Sequence, residues 1–149
     1  MASERLEDIR NFRRLNERLL TAGQPTEAQL RSVAASGVRT VINLALSTST
    51  HALPDERATV TAAGMEYVHL PVNFEAPTAA NFADFTAALD ARHDRKLFIH
   101  CAANWRVSTF VALYRIKTLG WPVEAAIAGL RQVWEPDAVW THFIAEQLA

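Results

Sequence analysis

The sequence predicts an α/β layer fold around a mainly parallel sheet of four to five strands, and three observations predict it. Helix-length segments alternate with short apolar runs, the pattern of strands joined through helical crossovers. Two of those runs, residues 38–44 and 96–99, are apolar enough to be covered on both faces, as central parallel strands are. Glycine and proline fall between the segments, at Gly23-Gln24-Pro25, Gly37, Gly64, Gly120 and Pro122.

Taken in order, residues 4–11 have the composition of a short helix, and 12–15 and 18–22 read as short strands around a turn at Asn16-Glu17. Thr26 caps a helix running to Ser36, with Glu27 complementing its first turn. The β-branched run at 38–44 is a buried central strand. A polar loop carrying His51 follows, and Pro54 suits the first turn of a helix to Ala63. Residues 65–70 form a strand and 71–77 a loop. Thr78 caps a helix with Phe82, Phe85 and Leu89 on one face. The strand at 96–99 runs into His100-Cys101, and helices follow at 106–119, 123–134 and 138–148. Trp121 and Trp140 are expected in the core, and residues 134–137 read as a helix–helix connector. The 149 residues suit one domain, 1–149.

A net charge of −1 gives no global field for nucleic acid or membrane. The single cysteine excludes an internal disulfide and a cysteine-based metal cage, which fits a reducing cytoplasm. The charged N-terminus is unlike a signal peptide, and no apolar run approaches membrane-spanning length. No metal or organic cofactor is implied.

The chemistry concentrates in Leu97-Phe98-Ile99-His100-Cys101-Ala102-Ala103-Asn104-Trp105-Arg106-Val107-Ser108. A strand that feeds a helix through a tight loop points backbone N–H groups and the positive helix end at one spot, which suits an oxyanion and a thiolate alike. The amides from Ala102 through Ala103, Asn104 and Trp105 to Arg106 are placed to wrap a tetrahedral oxyanion while Cys101 attacks its central atom. The Arg106 fork matches two of its oxygens. Beyond the carboxyl ends of the strands, His100-Cys101, Asn43-Leu44 and the loop after Pro71 are expected to converge. His100 and Asn43 are expected to shape the loop by hydrogen bonding.

These residues resemble the signature His-Cys-x5-Arg-Ser/Thr of the cysteine-dependent protein tyrosine phosphatase superfamily. Gly23-Gln24-Pro25-Thr26 and Val41-Ile42-Asn43-Leu44 extend the resemblance over most of the chain. It is most like small bacterial dual-specificity-like phosphatases, with the loop shortened to Cys-x4-Arg. The resemblance implies a phosphatase-like three-layer sandwich and hydrolysis of phosphomonoesters, on a phosphorylated protein or a small molecule, through a phosphocysteine. It also implies that Ser108 assists departure of the thiolate. The arginine stands one place early, Val107 occupies its usual position, and Asn104 replaces the usual glycine. Asparagine tolerates the left-handed backbone such a turn needs.

The superfamily keeps an acidic proton donor on a loop ahead of the cysteine. Glu75 is the only acidic side chain within 71–77 and is the candidate, with Asp55 and Glu56 as second choices. Asp84 reads as an exposed helix residue, His69 as a hydrogen-bonded wall residue, and His51, His93 and His142 as surface histidines without ligand spacing. Two other readings are carried. A rhodanese-like sulfurtransferase also places a strand-end cysteine in a short anion-binding loop. A catalytically silent phosphate-binding module would keep the pocket without turnover.

Overall fold

The computed structural model describes residues 5–149. A short 3-10 turn at Leu6–Asp8 stands where a helix over 4–11 is expected; residue 4 lies outside the described residues. The chain then forms β1 (Arg13–Arg14), β2 (Leu19–Ala22), α1 (Glu27–Ala35), β3 (Thr40–Asn43), α2 (Glu56–Ala62), β4 (Glu66–His69), α3 (Ala79–Asp90), β5 (Leu97–His100), α4 (Trp105–Lys117), α5 (Val123–Arg131) and α6 (Ala138–Leu148). The five strands lie in the order β1-β2-β5-β3-β4, and every pairing is parallel except the β1–β2 hairpin.

β3 and β5 occupy the middle, and all their residues are buried. One core joins Leu20, Val41 and Phe98 to the inner sides of α1 and α2. The other joins Ile42, Leu97, Ile99 and Cys101 to α3, α4, α5 and α6. The three layers expected are therefore present, with two helices on one face and four on the other.

Local chemistry sets the helix starts. Thr26 accepts from Gln29 N while the Gln29 side chain accepts from Thr26 N, and Thr78 and Asn81 repeat this reciprocal cap. α2 begins later than Pro54, because Asp55 is the cap and accepts from Ala58 N. That shift places Glu56 in the first turn, pointing at the sheet.

Candidate active site

Side chains alternate along β5. Leu97, Ile99 and Cys101 face the four-helix layer, so Phe98 and His100 face α1 and α2. His100 is fully buried, and its Nε2 lies 2.6 Å from Glu56 Oε2. Its Nδ1 lies 3.2 Å from the Cys101 carbonyl oxygen. Both ring nitrogens thus face oxygen atoms, and the ring spans the Glu56 carboxylate and the Cys101 carbonyl. Gln24 Nε2 donates to the other Glu56 oxygen at 3.0 Å. Burial pushes the Glu56 carboxyl up, but the charge and hydrogen bond of His100, with help from Gln24, outweigh it and hold the carboxyl below its ordinary value.

The loop after Cys101 is strutted from outside. Cys101 N donates to Ala22 O at 3.3 Å, and Gln24 N donates to Ala102 O at 3.0 Å. Asn11 Nδ2 donates to Ala103 O at 2.8 Å. In a planar trans peptide the next N–H points opposite to the carbonyl, so the Ala103 and Asn104 amides point away from these struts. Gly23 is required by close approach, since a Cβ there would sit 2.6 Å from Ala102 O. Asn104 adopts φ +66°, the left-handed turn expected of it. Its side chain is buried away from the loop's open side, donating to Asn11 O and Thr21 Oγ1.

α4 opens at Trp105, directing its positive end at the loop. Arg106 is buried, and its Nη1 donates to Val72 O at 2.8 Å. Its guanidinium lies 5.9 Å from the centre of the Phe74 ring. Among the described residues no carboxylate forms an ion pair with it. A cavity of about 380 Å³ opens above the loop. Cys101, Ala102, Ala103, Trp105 and Arg106 line it from the β5–α4 side, and Arg10, Phe74, Thr50 and His51 complete it. The cysteine, the arginine and the loop between them therefore meet at one cavity. The Trp105 ring stacks on Trp134 at 4.9 Å, and Phe74 packs against both indoles and Trp140.

Two expected participants stand elsewhere. Glu75 is exposed and does not line the cavity. Its loop is pinned on both sides of the cavity wall, through Arg106 to Val72 O and through Trp140 Nε1 to Phe74 O at 2.8 Å. Its own N donates to Asn73 Oδ1, which turns the chain outward. Ser108 Oγ donates to Trp105 O at 3.1 Å and faces a separate cavity between β1, α4 and α5, near Arg13 and Arg115. The shortened loop explains this. A helix turns about 100° per residue, so alignment follows the arginine rather than the cysteine, and Val107 takes the place next to it.

Other expectations are met or revised one by one. Asn43 shapes the neighbouring turn, accepting from Ala45 N at 2.8 Å and donating to Tyr67 OH at 3.0 Å. His69 is a hydrogen-bonded wall residue, 2.6 Å from Ala45 O. Asp55 is a helix cap, and Glu56 is the partner of His100 rather than a proton donor to a ligand. Trp140 is core, but Trp121 is 39% exposed and lies under the Arg115 guanidinium, 4.2 Å from its ring centre. The connector at 134–137 does more than join helices, since Trp134 backs Trp105. His51 is exposed as expected, yet it reaches the cavity, which its sequence surroundings do not reveal. The Glu56–His100 pair has a sequence signal in the alternation of β5 and an acidic first turn on the helix facing it.

The comparisons agree with this geometry. The family model described as DSP-PTPase phosphatase fused to NAD+ kinase matches residues 3–133. The chain is 33% identical over 103 residues to the beta-lactamase hydrolase-like protein of Agrobacterium fabrum, a match covering 67% of this chain and 24% of that protein. The chain thus spans about a quarter of that relative. A Shewanella putrefaciens CN-32 protein of the DUF442 group superposes with a TM-score of 0.85 at 33% identity, covering 95% of this chain and 93% of that one. A cysteine-to-serine variant of P. aeruginosa TpbA bound to pTyr superposes with a TM-score of 0.68 at 23% identity, covering 81% and 72%, and shares the fold. A buried strand-end cysteine, an arginine on the next helix and a family match over nearly the whole chain lead to one conclusion: the chain belongs to the DSP-PTPase family described as fused to NAD+ kinase, within the cysteine-dependent protein tyrosine phosphatase superfamily.

Proposed function

We propose that residues 1–149 act as one dual-specificity-phosphatase-like domain that hydrolyses phosphomonoesters through a phosphocysteine on Cys101. The observation that carries this is the buried, carboxylate-free Arg106 beside buried Cys101 in one cavity. A buried guanidinium without a counter-charge is costly, and a bound phosphoryl group supplies that charge with matching geometry. Cys101 Sγ attacks phosphorus, an S–P bond forms, and the ester P–O bond breaks with its electron pair leaving on oxygen. Arg106 and the amides from Ala102 to Arg106 hold the phosphoryl oxygens as charge builds on them. Water then attacks phosphorus, the S–P bond breaks, and the thiolate is restored.

The Phe74 and Trp105 rings at the cavity favour an aryl ester, so phosphotyrosine-type substrates are proposed first. The likeness to TpbA bound to pTyr is in keeping with that preference. Tyrosine or dual-specificity activity on peptides, in a reducing cytoplasm that keeps the one thiol free, completes the proposal.

The test is a pre-steady-state assay of wild type and Cys101→Ser on an aryl phosphate, with sulfur transfer from thiosulfate to cyanide measured alongside. The expected outcome is a phenol burst stoichiometric with enzyme, absent in Cys101→Ser, which keeps vanadate or phosphate binding. Undiminished turnover in Cys101→Ser overturns the phosphocysteine route. Thiocyanate formation without phosphate release moves the activity to sulfur transfer, and phosphate binding with neither reaction makes the domain a binding module.

A further inference from the structure

An aryl or alkyl oxygen leaving phosphorus needs a proton, and the cavity shows which side chain can give it. Among the described residues nine line the cavity, and none of them is a carboxylate. Arg10 and Arg106 do not release protons near neutral pH, Thr50 offers only a weakly acidic hydroxyl, and Cys101 is the nucleophile. The remaining ionisable side chain is His51, whose type is the usual proton donor and acceptor at physiological pH. Its backbone supplies a second, independent observation. His51 sits at φ +66°, a left-handed conformation uncommon for a residue with a Cβ. Such conformations concentrate where the surrounding chain holds a side chain in place for function. The turn hangs from the carboxyl end of β3, beside β5, where ligands of open α/β sheets bind.

Resting on the phosphatase reading above, we infer that His51, not Glu75, is the general acid and base of this site. As the S–P bond forms and the ester P–O bond breaks, the His51 imidazolium passes its proton to the departing oxygen and becomes neutral. In the second half-reaction the neutral ring takes a proton from the attacking water. The new O–P bond forms as the S–P bond breaks, the electron pair returns to Cys101 Sγ, and the imidazolium is regenerated. Lining the same cavity as His51 are the cations Arg10, ahead of β1, and Arg106 of α4, with the Cys101 thiol between β5 and that helix. This site therefore differs from one whose proton donor is a carboxylate on the loop preceding α3.

The experiment measures kcat/KM for aryl phosphates of graded leaving-group pKa with wild type, His51→Asn, Glu75→Gln and Cys101→Ser. Asparagine tolerates the left-handed backbone but donates no proton, so it separates chemistry from folding. For His51→Asn the expected loss is about a hundredfold or more on phenyl phosphate, the lower end of what general acids supply, and under about tenfold on p-nitrophenyl phosphate. His51→Gly, which also accepts positive φ, should recover part of the lost rate when imidazole is added. A leaving-group slope for His51→Asn equal to that of wild type overturns the proposal. A slope steepened by Glu75→Gln instead returns the role to Glu75. Both results leave the phosphocysteine reading standing, because the Cys101→Ser burst tests that reading separately. Full turnover in Cys101→Ser removes that reading, and this proposal with it.

Discussion

His100 and Glu56 brace the loop that begins at Cys101. Strand alternation sends His100 to the face opposite Cys101, yet its Nδ1 returns to the Cys101 carbonyl at 3.2 Å while Glu56 holds Nε2. The loop's first carbonyl is thereby tied to a hydrogen-bonded Glu56–His100 pair buried between β5 and α2. A carboxyl whose native pKa lies below its ordinary 4.5 stabilises the fold fully above that value. The contribution is lost as pH falls from 4.5 through the lowered native value. Glu56→Gln should therefore flatten the decline of Tm on acidification below pH 4.5. At neutral pH it should lower stability by about 1–3 kcal/mol, since His100 keeps a neutral acceptor but loses a charged one. Urea unfolding at several pH values checks both. A steep acid decline retained in Glu56→Gln would show that other carboxylates, such as Glu66 held at about 2 by Arg92 first and by Thr40 and Arg95, dominate it.

At the scale of elements, the loop from Cys101 to Arg106 owes its shape to a segment far away in sequence. The Gly23-Gln24 backbone runs beside Ala102 and Ala103, and a β-bridge joins Gly23 to Ala103. An alanine Cβ at 23 would meet three backbone neighbours, at 2.6 Å from Ala102 O, 3.0 Å from Ala103 Cα and 3.1 Å from Arg10 O. None of these is the end of a flexible side chain, so the loop itself must shift. Gly23→Ala is expected to lower kcat/KM by up to about a hundredfold, the scale of a misplacement near 1 Å. Tm should change far less, because the two cores are untouched. Kinetics and thermal melts on the same preparation check this, and unchanged kcat/KM would mean that the loop absorbs the clash. The one-residue shortening of the loop acts at the same scale, rotating Ser108 away from the cysteine while Arg106 stays at the cavity.

Across the whole molecule, the site is braced by an aromatic wedge. Phe74, Trp105, Trp134 and Trp140 link the loop before α3, the start of α4, the α5–α6 connector and α6. Trp140 is fully buried and donates to Phe74 O, so it joins the second core to the cavity wall. Trp140→Ala should cost about 3–5 kcal/mol, as large-to-small core changes do. Trp121→Ala, at a half-exposed position, should cost under about 1 kcal/mol. Denaturant titration of the two variants tests the contrast, and equal losses would contradict the placement of the two indoles.

The layer order, the central strands, the caps at Thr26 and Thr78, and the convergence of Cys101 and Arg106 are all written in the order of residues along the chain. Those features are local: apolar period, capping side chains and a strand-to-helix turn act over neighbouring residues. The same order also places Asn104 in a left-handed turn, because few other residues with a side chain adopt one readily. Which groups line the cavity depends instead on how distant elements pack together. Glu75 was on the expected loop, but hydrogen bonds from Trp140 and Arg106 pin that loop with its carboxylate outward. Ser108 kept its spacing from the cysteine and lost its direction, because a helix fixes direction by rotation rather than by count. His51 was legible as a residue type alone, and Glu56 as an acidic first-turn residue whose partner only the alternation of β5 hints at. Their partners lie on separate elements, and only the packing of α2 and the β3–α2 loop against β5 brings them to His100 and to the cavity.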